Sequence, residues 1–322
     1  MNIPDFLKLQ NIDVDVNNLC SFLENEILNK LQKSGAIIGL SGGIDSTVTL
    51  ALCVKALGNQ KILGLTMFEK ESNPENQVLI NEISNKYNIK IQNIDITPIL
   101  ESFDVYDNRE HIVKEKFPSF NTDCKYRIVV PPNLNSIGIP YLEILDDENK
   151  NHKIKISVSE FRTLTAATSI KHRVRMTLLY YHGEKNNLSV VGTTNKSEYL
   201  QGYFVKYGDG GSDIEPLVNL YKSQIYQIGH FLNVPDKILS SDASPDVWSY
   251  NTTDEEFFYT VPYEIVDLIL YARKNNLSVN EIKKISDLSE EKIKNLLRFQ
   301  DMKEQKSQHM RELPYNWKPN FI

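Results

Sequence analysis

Cysteine is scarce in this sequence. Cys20, Cys53 and Cys124 are the only three among 322 residues. No C-x-x-C pair occurs, which removes the usual zinc and thiol-redox signatures, and so small and odd a count fits a reducing cytoplasm. Positive charge is in deficit as well. The 36 Lys and Arg face 42 Asp and Glu, a formal net charge of −6. That balance, with a pI of about 5.6, argues against a nucleic-acid binder, which needs basic surface to neutralise phosphates. A local basic pocket is still compatible with it. No apolar run approaches the roughly 20 residues of a membrane span. Met1 to Gln10 lack the basic-then-apolar order of a signal peptide. A cytoplasmic protein with no membrane partner is therefore expected. Internal repeats and low-complexity linkers are missing too, so residues 1–322 read as one domain.

What is present is enough apolar residue for a sizeable core, at 41%, and a strand–helix rhythm. Residues 14–33 carry apolar side chains at helical spacing (Val16, Leu19, Phe22, Leu23, Ile27, Leu31), and Ser34-Gly35 ends that helix. Residues 36–40 form a short, wholly apolar strand, as expected where both faces of a parallel sheet are covered. A Gly-rich turn and a helix over 46–57 follow. Then come a strand over 62–67, a helix over 74–87 and a strand over 89–94. The pattern resumes with a long helix over 160–182, a strand over 188–192 and a helix over 221–232, and the chain is helical and polar from Val261. The alternation predicts an α/β fold: a doubly wound, Rossmann-like parallel sheet with helices on both faces.

The rhythm breaks over 107–157. Pro118, Pro131, Pro132 and Pro140 exclude a helix there, and short β-like runs occupy 126–130 and 153–158. The expectation is an inserted β-rich loop or hairpin protruding from the sheet. It is either a lid or partner surface or a tolerated surface insertion.

The sharpest local signal is Gly39-Leu40-Ser41-Gly42-Gly43-Ile44-Asp45-Ser46-Thr47, between a predicted strand and a predicted helix. Gly42 and Gly43 let the backbone turn tightly and approach an anion. The amides of the loop and the helix start then face one concavity, and Ser41 and Ser46 add hydroxyls. An ordinary strand-to-helix turn explains glycines, but not two serines and an aspartate aimed at one point. A carboxylate beside bound phosphates makes electrostatic sense only with a metal ion between them. The G-K-[ST] ending of a Walker loop is missing. The pattern S-G-G-x-D-S resembles the signature of the N-type ATP pyrophosphatases, which cleave ATP between the α and β phosphates. GMP, asparagine and NAD synthetases and tRNA-modifying enzymes share it.

Later segments narrow the group. Val191-Gly192-Thr193-Thr194-Asn195-Lys196-Ser197-Glu198 precedes Lys206-Tyr207-Gly208-Asp209-Gly210-Gly211-Ser212-Asp213, with Pro216, Leu220 and Lys222 beyond. Ile170-Lys171-His172-Arg173-Val174-Arg175-Met176, Ser244-Pro245-Asp246, Thr253-Asp254-Glu255, and His309 with Arg311-Glu312-Leu313-Pro314 complete the set. In this order they resemble the ammonia-dependent NAD synthetase family across nearly the whole chain outside the insertion. The resemblance implies an ATP-dependent amide ligase. A carboxylate, deamido-NAD in the leading reading, is adenylated with loss of pyrophosphate, and ammonia then displaces AMP to give NAD. It implies that Asp45, Ser46 and Lys222 are catalytic. It assigns ATP to Gly39, Leu40, Ser41, Gly42, Gly43, Ile44, Asp45, Ser46, Thr193, Lys222 and Ser244. It assigns Mg²⁺ to Asp45 and Glu198, and the acyl substrate to Arg173, Lys206, Asp213 and His309. Taken alone, Glu198 would read as a solvated helix acid and His309 as a surface histidine. A homodimer is also implied.

No N-terminal glutaminase module is seen, so free ammonia or a separate glutaminase is the expected nitrogen source. Four features depart from the family pattern. Thr168-Ser169 stand where Gly-Asn is usual, His172 where a small residue is usual, Met310 where Lys is usual, and 107–157 is inserted. An amide ligase for a different carboxylate, such as a sugar acid, is the alternative. A tRNA-modifying ATP pyrophosphatase is disfavoured by the acidic pI and the missing C-x-x-C.

Overall fold

A computed structural model describes residues 5–129 and 140–317. The first helix, α1 (Ile12–Glu24), buries Val16 and Leu23 and continues as a π-helical turn over Asn25–Lys30. Strand β1 (Gly35–Gly39), α2 (Ile44–Leu57), β2 (Ile62–Phe68), α3 (Glu75–Tyr87) and β3 (Lys90–Asp95) follow in alternation. Next come α4 (Thr97–Ser102), α5 (Val105–Lys116), β4 (Lys125–Val129), β5 (Tyr141–Leu145) and β6 (Asn151–Lys155). The long helix α6 (Val158–Asn186) leads into β7 (Leu188–Val190) and α7 (Lys196–Gln201). Then α8 (Lys222–Phe231), α9 (Asp236–Leu239), α10 (Tyr263–Lys274), α11 (Val279–Lys284) and α12 (Glu290–Arg311) complete the chain.

Four strands form a parallel sheet in the order β3-β2-β1-β7. Alternate residues of β1 enter different cores. Ala36 and Ile38 pack with α1, α2 and α8 on one face, whereas Ile37 packs with α6 residues such as Val174 on the other. Helices therefore cover both faces, as the α/β reading expects, and the apolar run of β1 is explained by its having no solvent face. From β1 the chain steps outward to β2 and β3, and β7 later returns to the opposite side of β1. The strand order thus reverses at β1. In open α/β sheets ligands sit at the carboxyl ends of the strands at such a point, which here is where the loops after β1 and β7 meet.

Residues 107–157 differ from the expected loop or hairpin. The α5 helix runs to Lys116, before Pro118, and buries Val105, Tyr106, Arg109, Ile112 and Val113. The prolines therefore bound a helix rather than exclude one. Beyond it lies an antiparallel sheet of three strands, β4-β5-β6. Its middle strand escaped notice because Leu142, Glu143 and Ile144 are all buried and so break the period-2 pattern that marks a half-exposed strand. The sheet has its own core of Tyr126, Ile128, Leu142 and Ile144 against α6 and Trp248. Val130, Pro131 and Pro132 lie outside the described residues. The start of α6 is set by Ser157, which accepts from the Glu160 N–H at 3.2 Å while Glu160 Oε2 accepts from the Ser157 N–H at 2.7 Å.

Candidate active site

The turn after β1 is built by its own side chains. Gly42 has φ +87°, the left-handed region that glycine adopts without strain. Gly43, at φ −82°, only begins α2. The Gly43 N–H donates to Ser41 Oγ at 3.2 Å, and Ser46 Oγ donates to Gly43 O at 3.0 Å. Ser41 and Ser46 hydroxyls stand 3.3 Å apart. The loop is tied to the sheet by the Leu40 N–H, which donates to Leu65 O at 2.8 Å. Asp45 enters from the first turn of α2.

The second wall comes from β7 and α7. Asn195 and Glu198 form a reciprocal cap on α7, each accepting from the other's N–H at 3.0 Å. Asn195 Nδ2 also donates to Asp45 Oδ1 at 3.0 Å, which joins the two loops across the strand reversal. Lys222, at the first turn of α8, is 1% exposed. Its Nζ donates to Asp45 Oδ2 and lies 3.9 Å from Glu198 Oε1.

One buried lysine thus faces Asp45, Glu198 and, nearby, Asp254. Burial alone would lower Lys222, but these carboxylates together raise it well above the ordinary lysine value. The acids are raised as well, which for them favours the neutral form. Burial and then the Asp45 charge push Glu198 well above the usual carboxylate range, against Lys222. Burial raises Asp254, opposed by Lys222 and by hydrogen bonds from Tyr263 and Tyr203, each at 2.8 Å. The centre has more acid than its one lysine can neutralise, which is the electrostatic condition for attracting a cation. Among the described residues no group of three or more His, Cys, Asp or Glu forms a ready metal cage. Mg²⁺ needs none, since it commonly takes one or two carboxylates plus substrate phosphates. The donor set therefore fits that ion.

These groups line a cleft of about 1640 Å³, more than a single small ligand requires. Gly39 to Ser46, Thr193, Glu198, Lys222 and Ser244 line it, and so do Arg173, Lys206 and His309. Along α6 the lining positions are Phe161, Thr165, Thr168, Ser169, His172, Arg173, Arg175, Met176 and Leu179, most of them spaced by three and four along the helix. Arg173 is exposed there and makes no ion pair among the described residues. Lys206 donates to His309 O at 2.7 Å and Glu312 O at 2.9 Å and so holds the end of α12.

Asp213 stands apart from the cleft lining. Its oxygens accept from the Val190 N–H at 2.8 Å, Ser189 Oγ at 3.3 Å and Tyr180 OH at 3.0 Å, which pins the Gly-rich turn to β7.

The family pattern described as NAD synthase matches residues 15–132 and 133–314. The chain belongs to the NAD synthase family. An NH₃-dependent NAD⁺ synthetase of Mesorhizobium japonicum is 32% identical over 302 residues, 93% of this chain and 95% of that protein. One from Thermotoga maritima is 35% identical over 283 residues, 85% of this chain and 94% of that protein. Among solved structures, an NMN synthetase from Francisella tularensis superposes with a TM-score of 0.66 at 25% identity, covering 96% of this chain and 99% of that one. Membership makes the chain an ATP-consuming ligase that joins ammonia to a small-molecule carboxylate, and the NAD synthetase reading stands above the sugar-acid and tRNA readings.

Several residues in or behind the cleft wall escaped role assignment from sequence although the family motifs contain them. Asn195 bridges to Asp45, Asp254 faces Lys222, and Arg175 Nε donates to Met67 O at 3.2 Å at the cleft wall. Their motif positions were the available signal. Glu69 and Lys303, which also line the cleft, carry no such signal. No helix among the described residues is long and apolar enough to cross a membrane.

Proposed function

We propose that the chain amidates deamido-NAD to NAD, using ATP and ammonia, in the cleft between the β1 and β7 loops. The observation that carries this reading is the convergence of Asp45, Glu198 and Lys222 on one end of a cleft that also holds Arg173, Lys206 and His309.

In the first step a carboxylate oxygen of deamido-NAD attacks the α-phosphorus of ATP. The bond from that phosphorus to the bridging oxygen breaks, and pyrophosphate leaves. The amides and hydroxyls of Ser41, Gly42, Gly43 and Ser46 hold the phosphates. Lys222, kept charged by its acidic neighbours, opposes the negative charge that builds on the departing pyrophosphate. Thr193 and Ser244 contact the nucleotide. Mg²⁺ held by Asp45 and Glu198 would neutralise phosphate charge when bound. In the second step ammonia attacks the acyl carbon, the carbon–oxygen bond to AMP breaks, and the nitrogen loses a proton. Arg173, whose planar fork suits paired phosphate oxygens, binds the dinucleotide with Lys206 and His309. Asp213, its carboxylate already committed, acts by positioning the turn before it. A homodimer in a reducing cytoplasm, fed by free ammonia or a separate glutaminase, completes the proposal. The three free cysteines agree with that compartment.

One observation favours a second acid. Thr168, Ser169, His172 and Met310, the four residues that depart from the family pattern, all line the cleft. A different carboxylate, such as the corresponding mononucleotide acid, is the second reading.

The test is release of AMP and pyrophosphate from ATP, Mg²⁺ and ammonium, with each acid in turn. NAD appearing in step with AMP, at the highest kcat/KM for deamido-NAD, is the expected outcome. Stimulation only by another acid would replace the substrate and keep the chemistry.

A further inference from the structure

The β4-β5-β6 sheet leaves one edge of β4 free of β5, and the chain lays a distant segment along it. The Tyr250 N–H donates to Tyr126 O at 3.1 Å, and the Tyr126 N–H donates to Ser249 Oγ at 3.0 Å. Arg127 on β4 spans both sides. Its Nε donates to Glu143 Oε2 on β5 at 2.9 Å. Its Nη1 donates to Asn251 O at 2.8 Å and to Glu256 Oε2 at 2.9 Å. Its guanidinium lies 4.5 Å from the centre of the Tyr250 ring. Beneath this seam Trp248, 3% exposed, packs edge-on to Tyr126 and under the Arg109 guanidinium at 4.3 Å.

The docked segment belongs to the cleft. Ser244 and Asp246 precede it, Asp254 follows it, and all three line the cavity. At its other end Asp246 accepts from the Asn73 N–H at 3.1 Å and from Asn76 Nδ2 at 2.8 Å, beside the start of α3. Residues 244–253 contain no helix or strand of their own. A loop of that kind left free would be ordered by the ligand, at a cost to binding. A seam of one backbone bond, a backbone–serine bond and a three-way arginine removes that cost beforehand.

We propose that the inserted sheet is a positioning element for the cleft: its β4 edge holds residues 244–254 in place before substrate arrives, with Arg127 as the positioning residue. This rests on the assignment of Ser244 to the ATP end. Asp45, Glu198 and Lys222 sit on other elements, and Asp254 has its own tyrosine partners. Release of the seam therefore weakens binding more than it slows chemistry.

Hydrogen exchange on the ligand-free full chain tests the docking without reference to activity. In Arg127→Met, amides of 247–251 are expected to exchange about tenfold faster, the scale of a lost hydrogen bond to a charged group. Amides of β5 and β6 should be unchanged. KM for ATP should rise by a similar factor while kcat falls by less than about twofold. Arg127→Lys should recover only part of the loss, because an ammonium cannot span three acceptors. If Arg127→Met loses the whole sheet, Ser249→Ala keeps both arginine ion pairs and should give a smaller change of the same kind. Unchanged exchange at 247–251 in both variants would overturn the docking. Faster exchange with unchanged KM would overturn the positioning role. Absence of turnover in the wild-type chain would count against the activity reading alone, since the exchange result stands by itself.

Discussion

At the scale of single residues the centre is a balance of one lysine against several acids, and the two signs predict different mutant behaviour. Asp45→Asn removes a proposed metal ligand but relieves repulsion with Glu198. We expect kcat to fall by roughly a hundredfold or more, with the melting temperature held or raised. Lys222→Met removes the one cation that, among the described residues, pairs with Asp45 and Glu198, so activity and stability should fall together, by about 3–5 kcal/mol. Of the acids it leaves behind, Glu198 and Asp254 are raised by burial, so they are neutral at low pH and charged at high pH. The loss should therefore grow with pH in denaturant titrations. Glu215 offers a separate test outside the cleft. Its carboxyl lies against Gly192, where an added Cβ would stand 2.3 Å from Oε1. Burial pushes it up to about 7, opposed by hydrogen bonds from Ser212 and Thr194. The folded state therefore holds its proton more tightly than the unfolded state. This stabilisation is full below about 4.5 and is lost as pH rises through about 7, amounting to about 3 kcal/mol. Glu215→Gln should flatten the pH dependence between 5 and 8 and be the more stable form at pH 8.

At the scale of elements, the site is assembled where helix ends meet. The Asn195–Glu198 pair begins α7 and at the same time turns Glu198 Oε1 toward Lys222, so a cap and a candidate ligand share one side chain. At the other end of α7, Gly202 has φ +71°, and a Cβ there would stand 2.1 Å from Ser307 Cβ on α12. That glycine sets how closely α7 approaches the helix that carries Lys303 and His309. Gly202→Ala should cost on the order of 2 kcal/mol in chemical denaturation and raise KM for the acyl substrate as α12 shifts. An unchanged KM in a destabilised variant would separate packing from binding. Gly42 makes the corresponding demand in the loop after β1 through its positive φ alone. An added Cβ there would meet nothing closer than 3.5 Å.

At the scale of the whole molecule, two sheets divide the labour. The parallel sheet brings the β1 and β7 loops together at the strand reversal. The antiparallel sheet stands over the same cleft from between α5 and α6 and contributes Ile128 to its lining. Outside the cleft, Leu313, Tyr315 and Trp317 are more than four-fifths exposed. Under the homodimer proposal, light scattering at assay concentration should give twice the chain mass of 37.0 kDa, and a monomer would end that part of the reading.

How much of this was legible in the sequence depends on how far apart the contributing residues lie. The α/β class, the loop from Gly39 to Ser46 and the family motifs are written in short contiguous stretches. A strand covered on both faces, a tight glycine turn and a helix start each depend on neighbours a few positions away. Sequence alone therefore determined the ATP chemistry and named Asp45, Glu198 and Lys222 as candidate site residues, but the pairing of Lys222 with the two acids emerged only in the assembled site. The tertiary structure decided the rest. It gave the positive φ to Gly42 rather than sharing it with Gly43, and committed Asp213 to β7 instead of the cleft. It turned residues 107–157 from an expected loop into a helix end and a sheet, and set that sheet against residues 247–251, more than a hundred positions away. Those outcomes depend on strand order and on which surfaces can be buried together. A local pattern does not carry that information, because burial is a property of the assembled core rather than of any one segment.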